Sequence, residues 1–170
     1  MLVRGRCERN TDVVAGACFS AAAFFRYGVS LQTLTMIAIY GILTAIAWMD
    51  WKTQVIPPLL NGMLGILGVI SYVTMPGPSI AERLIGCACI SVPMLLLAVY
   101  ASGGFGGGDI KMMAAAGLLL GWEEVLTAFL IGLIPAGIYG LYLLFAKKKS
   151  GKASFALGPF LSLGIAIALL

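Results

Sequence analysis

Residues 102–124 read SGGFGGGDIKMMAAAGLLLGWEE. Five of the six residues from Gly103 to Gly108 are glycine. Asp109 closes that run, and the apolar stretch Ile110–Gly121 leads on to Glu123 and Glu124. As helix, this stretch reaches only about 18 Å, whereas a bilayer core of about 30 Å needs about 20 apolar residues. It is too short to cross alone. With the two glutamates near one interface, its other end lies below the opposite surface, and non-helical backbone must lead to it. Glycine suits such a path because it has no Cβ to restrict φ and ψ. Such backbone survives at membrane depth only where protein or water surrounds it. Asp109 is therefore expected at the floor of a sheltered, wet cavity within a bundle.

The flanking sequence supplies the bundle. Apolar runs occupy Leu31–Met49, Leu59–Met75, Leu84–Ala101, Val125–Ala146 and Ala153–Leu170. With the short run they make six core segments. Hydrophobic residues form 61% of the 170-residue chain and charged residues 11%. A soluble domain covers its surface with about a quarter charged residues, so a soluble helical domain is excluded. The expected fold is all-α: a polytopic membrane helical bundle with six core transmembrane segments. Val13–Phe25 is open among a seventh span, an interfacial helix and a signal-like segment. Residues 1–30 are read as an N-terminal extension and 31–170 as the membrane domain. The 22 glycines allow helix backbones to approach closely.

Loops 50–57, 102–109 and 147–152 share one face by alternation, and loops 76–83 and 122–124 share the other. All six lysines (Lys52, Lys111, Lys147, Lys148, Lys149 and Lys152) fall on or beside the first face. The positive-inside rule makes that face cytoplasmic. Arg4, Arg6 and Arg9 obey the rule only if Val13–Phe25 spans. A lysine cluster beside a span is a topology signal rather than a nucleic-acid patch, so no nucleic acid is expected as a partner.

Histidine is absent, which rules out a Ser–His dyad and a His-based zinc peptidase. Cys7, Cys18, Cys87 and Cys89 form no CxxC pair and read as small apolar packing residues. No metal or cofactor is expected. Hydrolysis would need carboxylates, or a serine with a lysine base. The three aspartates are Asp12 in the polar N-terminal part, Asp50 where Leu31–Met49 ends, and Asp109. Taken singly, Asp50 reads as a helix terminator and Asp109 as an N-cap. Together they place two carboxylates at one membrane edge, where ionisable groups are costly and usually functional. Two close carboxylates share one proton. The ionised one can draw a proton from water while the other supports the oxyanion and then protonates the leaving nitrogen.

The motifs carry a resemblance. Gly106-Gly107-Gly108-Asp109 matches GxGD, and Lys111 extends it to GxGDxK. Asp50 is followed six and seven residues later by Ile56-Pro57. Gly158-Pro159-Phe160-Leu161 lies in the last apolar run. Across about residues 31–170 the chain resembles the prepilin peptidases, the type IV prepilin leader peptidases among the GxGD aspartyl proteases. That resemblance implies an aspartic-type endopeptidase of the prokaryotic plasma membrane. It would remove the leader of type IV prepilin or pseudopilin precursors at the cytoplasmic face, after a Gly and before a hydrophobic helix. It implies Asp50 and Asp109 as the catalytic pair, with Gly106, Gly108, Lys111 and Pro57 supporting the motifs. The chain departs from the family at Pro58, where many members have Asn or Asp. It also lacks the cytoplasmic insert with paired CxxC motifs of the bifunctional members, so methyltransferase activity is not expected.

Two readings of other classes compete. A small transporter or channel subunit would use the same carboxylates as a proton or cation site, but it predicts inverted repeats that the sequence lacks. A noncatalytic scaffold would keep the fold and tolerate loss of either aspartate. A Ser102–Lys111 peptidase is a third alternative, and nothing marks Ser102 among the serines. The partners expected are the precursor substrate and the lipid bilayer; oligomeric state has no signature here.

Overall fold

The computed structural model describes residues 2–100, 105–146 and 156–170. Ser102, Gly103, Gly104 and the cluster Lys147, Lys148, Lys149 and Lys152 lie outside the described residues. Every regular element among the described residues is an α-helix. In chain order these are α1 (Leu2–Tyr27), α2 (Leu31–Thr53), α3 (Pro58–Thr74), α4 (Ile80–Tyr100), α5 (Gly107–Leu120), α6 (Trp122–Ala146) and α7 (Gly158–Ala168). Three of them, α2, α4 and α6, are long and apolar enough to cross a membrane. Helices α3 and α7, with 17 and 11 residues, are shorter apolar elements.

Local chemistry explains the boundaries. Ser30 caps α2, its Oγ accepting the Thr33 amide at 3.2 Å. Gln54 ends α2 in the left-handed region (φ 53°) and returns its amide to the Asp50 carbonyl at 2.8 Å, the usual helix C-terminal device. Pro58 opens α3, where a missing N–H costs nothing and the fixed φ suits a first helical residue. That local role accounts for a proline at this position. Ser79 and Glu82 form a reciprocal cap at the start of α4, with Glu82 Oε2 accepting from Ser79 N at 2.6 Å and Oγ at 2.9 Å.

Helix α5 is the axle. Met112, Met113, Ala115, Ala116, Leu119 and Leu120 are all buried, so it is enclosed on nearly every side. Helices α3, α4 and α6 pack around it, α7 packs on α6 and α2, and α1 packs on α2. Phe19 of α1 stacks on Tyr40 of α2 with ring centroids 5.5 Å apart. The outward faces are as apolar as the core: Leu59, Val69 and Val73 of α3 and Leu84, Leu95 and Val99 of α4 are exposed. Water penalises such a surface and hydrocarbon does not.

The structure differs from the sequence reading in four places. Helix α2 continues past Met49, so Asp50 lies in its last turn. Helix α5 begins at Gly107 rather than Ile110. The run Ala153–Leu170 contributes an 11-residue helix starting at Gly158. The polar N-terminal part that holds Asp12 is itself helical, as α1 starts at Leu2, and α1 has only the apolar stretch Val14–Tyr27.

Helices α4 and α5 touch backbone to backbone at Gly86 and Gly117. A Cβ on Gly86 would sit 2.6 Å from the Gly121 carbonyl carbon and 2.8 Å from the Gly117 oxygen. Gly41 faces open space. Gly117→Ala is therefore expected to destabilise the detergent-solubilised protein by about 1–3 kcal/mol through overpacking. Gly41→Ala should be neutral or mildly stabilising. Thermal melting of the two variants side by side checks the contrast.

Candidate active site

One end of the bundle gathers the C-terminus of α2 and the N-termini of α3, α5 and α7. Asp50 comes from the last turn of α2 and Asp109 from the first turn of α5. Both are buried, 4% and 8% exposed. The two residues are 59 positions apart in sequence, yet Ile56, just after the end of α2, packs against Gly108, the residue before Asp109, which brings both carboxylates to the same end of the bundle.

Each carboxylate meets a helix N-terminus. Asp50 Oδ2 accepts the Gly158 amide at 2.8 Å, and Gly158 is the first residue of α7. Unpaired N–H groups and the partial positive charge at such an end favour an anion. Gly158 is packed tightly on its partner: a Cβ there would lie 2.8 Å from Asp50 Oδ2 and 2.9 Å from Asp50 Cβ. Asp109 is the third residue of α5, after the capping residue Gly106. Its carboxyl folds back toward the start of its own helix, beside Gly106. A Cβ on Gly106 would lie 2.9 Å from Asp109 Oδ2. Among the described residues Asp109 Oδ1 is buried without a hydrogen-bond partner.

The glycines next to Asp109 do a different job from the one their sequence suggests. Gly107 and Gly108 are helical, and Gly106 has φ −69°, which any residue adopts. Gly108 is needed for space. A Cβ on it would meet Ile56 Cβ at 2.9 Å. The Ile-Pro pair after Asp50 thus closes on the residue before Asp109, and the two motifs are in direct contact. Asn61 of α3 adds a hydrogen bond from Nδ2 to the Gly108 carbonyl at 2.9 Å.

Of the other residues that the motifs single out, Pro57 is the capping residue of α3 and Lys111 is exposed. Sequence reasoning assigned no site role to Gly158, Ile56 or Asn61. Gly158-Pro159 is a helix-start signal, but the target of the Gly158 amide is 108 residues away. Asn61 is an amide inside an apolar helix, which is a signal that could have been read. Among the described residues no cluster of three or more His, Cys, Asp or Glu could hold a metal.

The model of the type IV leader peptidase family matches residues 37–141, which includes Asp50 and Asp109. Curated relatives named prepilin leader peptidase/N-methyltransferase are similar to the chain. The one from Bacillus subtilis (strain 168) is 28% identical over 91% of this chain and 62% of its own length. Those from Pseudomonas putida and Legionella pneumophila are each 28% identical, over 100% and 99% of this chain and 64% of their own length. The chain spans less than two thirds of the length of these relatives. No solved structure matches it.

The Ile56–Gly108 contact makes a stability prediction. Gly108→Ala should destabilise the protein by about 1–3 kcal/mol. In an Ile56→Gly background the same change should cost much less, because Ile56 Cβ, the atom it strikes at 2.9 Å, is gone. A double-mutant cycle by thermal melting should give a favourable coupling of about 0.5–3 kcal/mol. Additive effects would mean that the two motifs do not touch.

Proposed function

The chain belongs to the type IV leader peptidase family, and from that premise we propose that it is a membrane aspartyl endopeptidase acting on type IV prepilin or pseudopilin precursors. The observation that carries the proposal is the buried pair Asp50 and Asp109, drawn from distant helices to one end of the bundle by the packing of Ile56 on Gly108. Like charges within reach do not both ionise easily, so the pair shares a proton and titrates as a unit. The two are not equivalent. Asp50 Oδ2 has a fixed backbone donor, while Asp109 Oδ1 is buried with no partner among the described residues. The shared proton is best placed on Asp109. Asp50 then takes a proton from water, whose oxygen attacks the scissile carbonyl carbon. Asp109 supports the developing oxyanion and then gives its proton to the leaving nitrogen as the C–N bond breaks, and the proton taken from water stays on Asp50, so the pair again holds one proton.

The finer parts of the proposal rest on the sequence. Six core segments would lie in the plasma membrane of a prokaryote, with α1 of the 1–30 extension spanning or lying at the interface. The site would open to the cytoplasm, on the lysine-bearing side. Cleavage would follow a leader-terminal Gly and precede a hydrophobic helix. Gly106, Gly108, Pro57 and Lys111 would support the motifs. Of the two activities in the relatives' names, the paired aspartates support hydrolysis, and methyl transfer is not part of the proposal.

Asp50→Asn and Asp109→Asn should each lower leader cleavage by at least about 10²-fold, since general acid–base catalysis is worth about 10²–10⁴-fold. Asparagine keeps the shape but can neither carry the shared proton nor act as a base. Membrane accumulation should be unchanged. Asp12→Asn should cleave normally. The readout is leader loss from a co-expressed prepilin, by gel mobility or mass, at matched enzyme level. Normal cleavage by either single variant would refute the mechanism.

A further inference from the structure

Helix α3 packs an amide, Asn61, into an apolar bundle at 5% exposure. Burying an amide costs free energy unless its donors and acceptor find partners. Asn61 is only half provided for. Its Nδ2 donates to the Gly108 carbonyl at 2.9 Å, while its Oδ1 is buried with no partner among the described residues. A half-satisfied buried amide is worse for stability than an apolar residue of the same shape, so stability does not explain asparagine here. Residues that break a local rule in this way mark functional positions.

What the amide holds is specific. The Gly108 carbonyl and the Asp109 N–H belong to one planar peptide unit. A hydrogen bond to that carbonyl therefore fixes the plane from which the Asp109 side chain springs. Ile56 closes against Gly108 as well. Ile56 and Asn61, five residues apart across the Pro57-Pro58 helix start, thus grip the same glycine.

We infer that Asn61 is a positioning residue for Asp109, acting through the Gly108 carbonyl; the inference rests on the paired-aspartate reading. Its donor N–H sets the orientation of the Gly108–Asp109 peptide, and with it the place of the Asp109 carboxyl relative to Asp50.

The test compares Asn61→Leu, Asn61→Gln and Asp109→Asn in purified full-length protein, with a prepilin precursor as substrate. Leucine keeps the same branched heavy-atom skeleton and removes the donor, so folding should be kept and melting unchanged or raised. Its kcat should fall at least about tenfold, because small displacements of a reacting group are costly, with KM unchanged. Glutamine keeps the donor on a longer arm, and its kcat should lie between leucine and wild type. A wild-type kcat for Asn61→Leu would overturn the inference, and so would a loss explained by fewer folded molecules or one confined to KM. If Asp109→Asn is inactive while Asn61→Leu is normal, only the role of Asn61 fails. If Asp109→Asn itself cleaves normally, the paired-aspartate reading fails and this inference falls with it.

Discussion

Two carboxylates buried in an apolar bundle impose the constraint that the other helices answer. An ionised group at membrane depth is costly, and a second one within reach adds repulsion that low dielectric magnifies. The answer is a convergence of helix N-termini. Helices α3, α5 and α7 all begin where α2 ends, and each brings unpaired N–H groups and a partial positive charge. Gly158 directs the start of α7 at Asp50, and the Asp109 carboxyl lies against Gly106 at the start of α5. The glycines at both contacts follow from this, since a side chain there would occupy the space of the carboxyl group.

The short axle α5 makes that convergence attainable. A full-length span would carry its N-terminus to the membrane surface, whereas 14 residues leave it inside the bundle. The opposite end of α5 must then be tied down. Arg83 of α4 is buried and donates to the Gly68 carbonyl at 3.0 Å, Ser71 Oγ at 2.7 Å and the Leu118 carbonyl at 2.8 Å. It joins α3, α4 and α5 near the C-terminus of α5, where carbonyls attract a cation. The Gly86–Gly117 contact fixes the distance between α4 and α5 at the same end. The depth of Asp109 is thus set from both ends of its helix.

Much of this could be read from residue order. The length deficit of Ile110–Gly121 anticipates a helix that does not cross, and the apolar runs locate the other elements, because span length and hydropathy are local properties. The place of Asp50 at one helix end and Asp109 near the start of another follows from the same reading. What local pattern could not supply is contact between distant segments. The glycine run reads as irregular backbone, yet Gly107 and Gly108 are helical; Gly108 is glycine because Ile56 lies against it. Gly158 reads as a helix start and turns out to be the donor to Asp50. The apolar pattern of Val13–Phe25 marks only part of α1, since helix continues through a polar stretch back to Leu2. Helix geometry there does not depend on the hydrophobic period that sequence reading relies on.

The central claim is that Asp50 and Asp109 form one coupled pair, and it can be measured without any substrate. Asp50→Asn, Asp109→Asn and the double variant would be compared with wild type by chemical or thermal unfolding in the same detergent at neutral pH. Residues more than about 7–10 Å apart with no shared partner add to within about 0.5 kcal/mol. A coupled pair should depart from additivity by more than that, because removing either carboxylate relieves the repulsion that the other feels. Stability changes that simply add would contradict the account and place the two aspartates in separate environments.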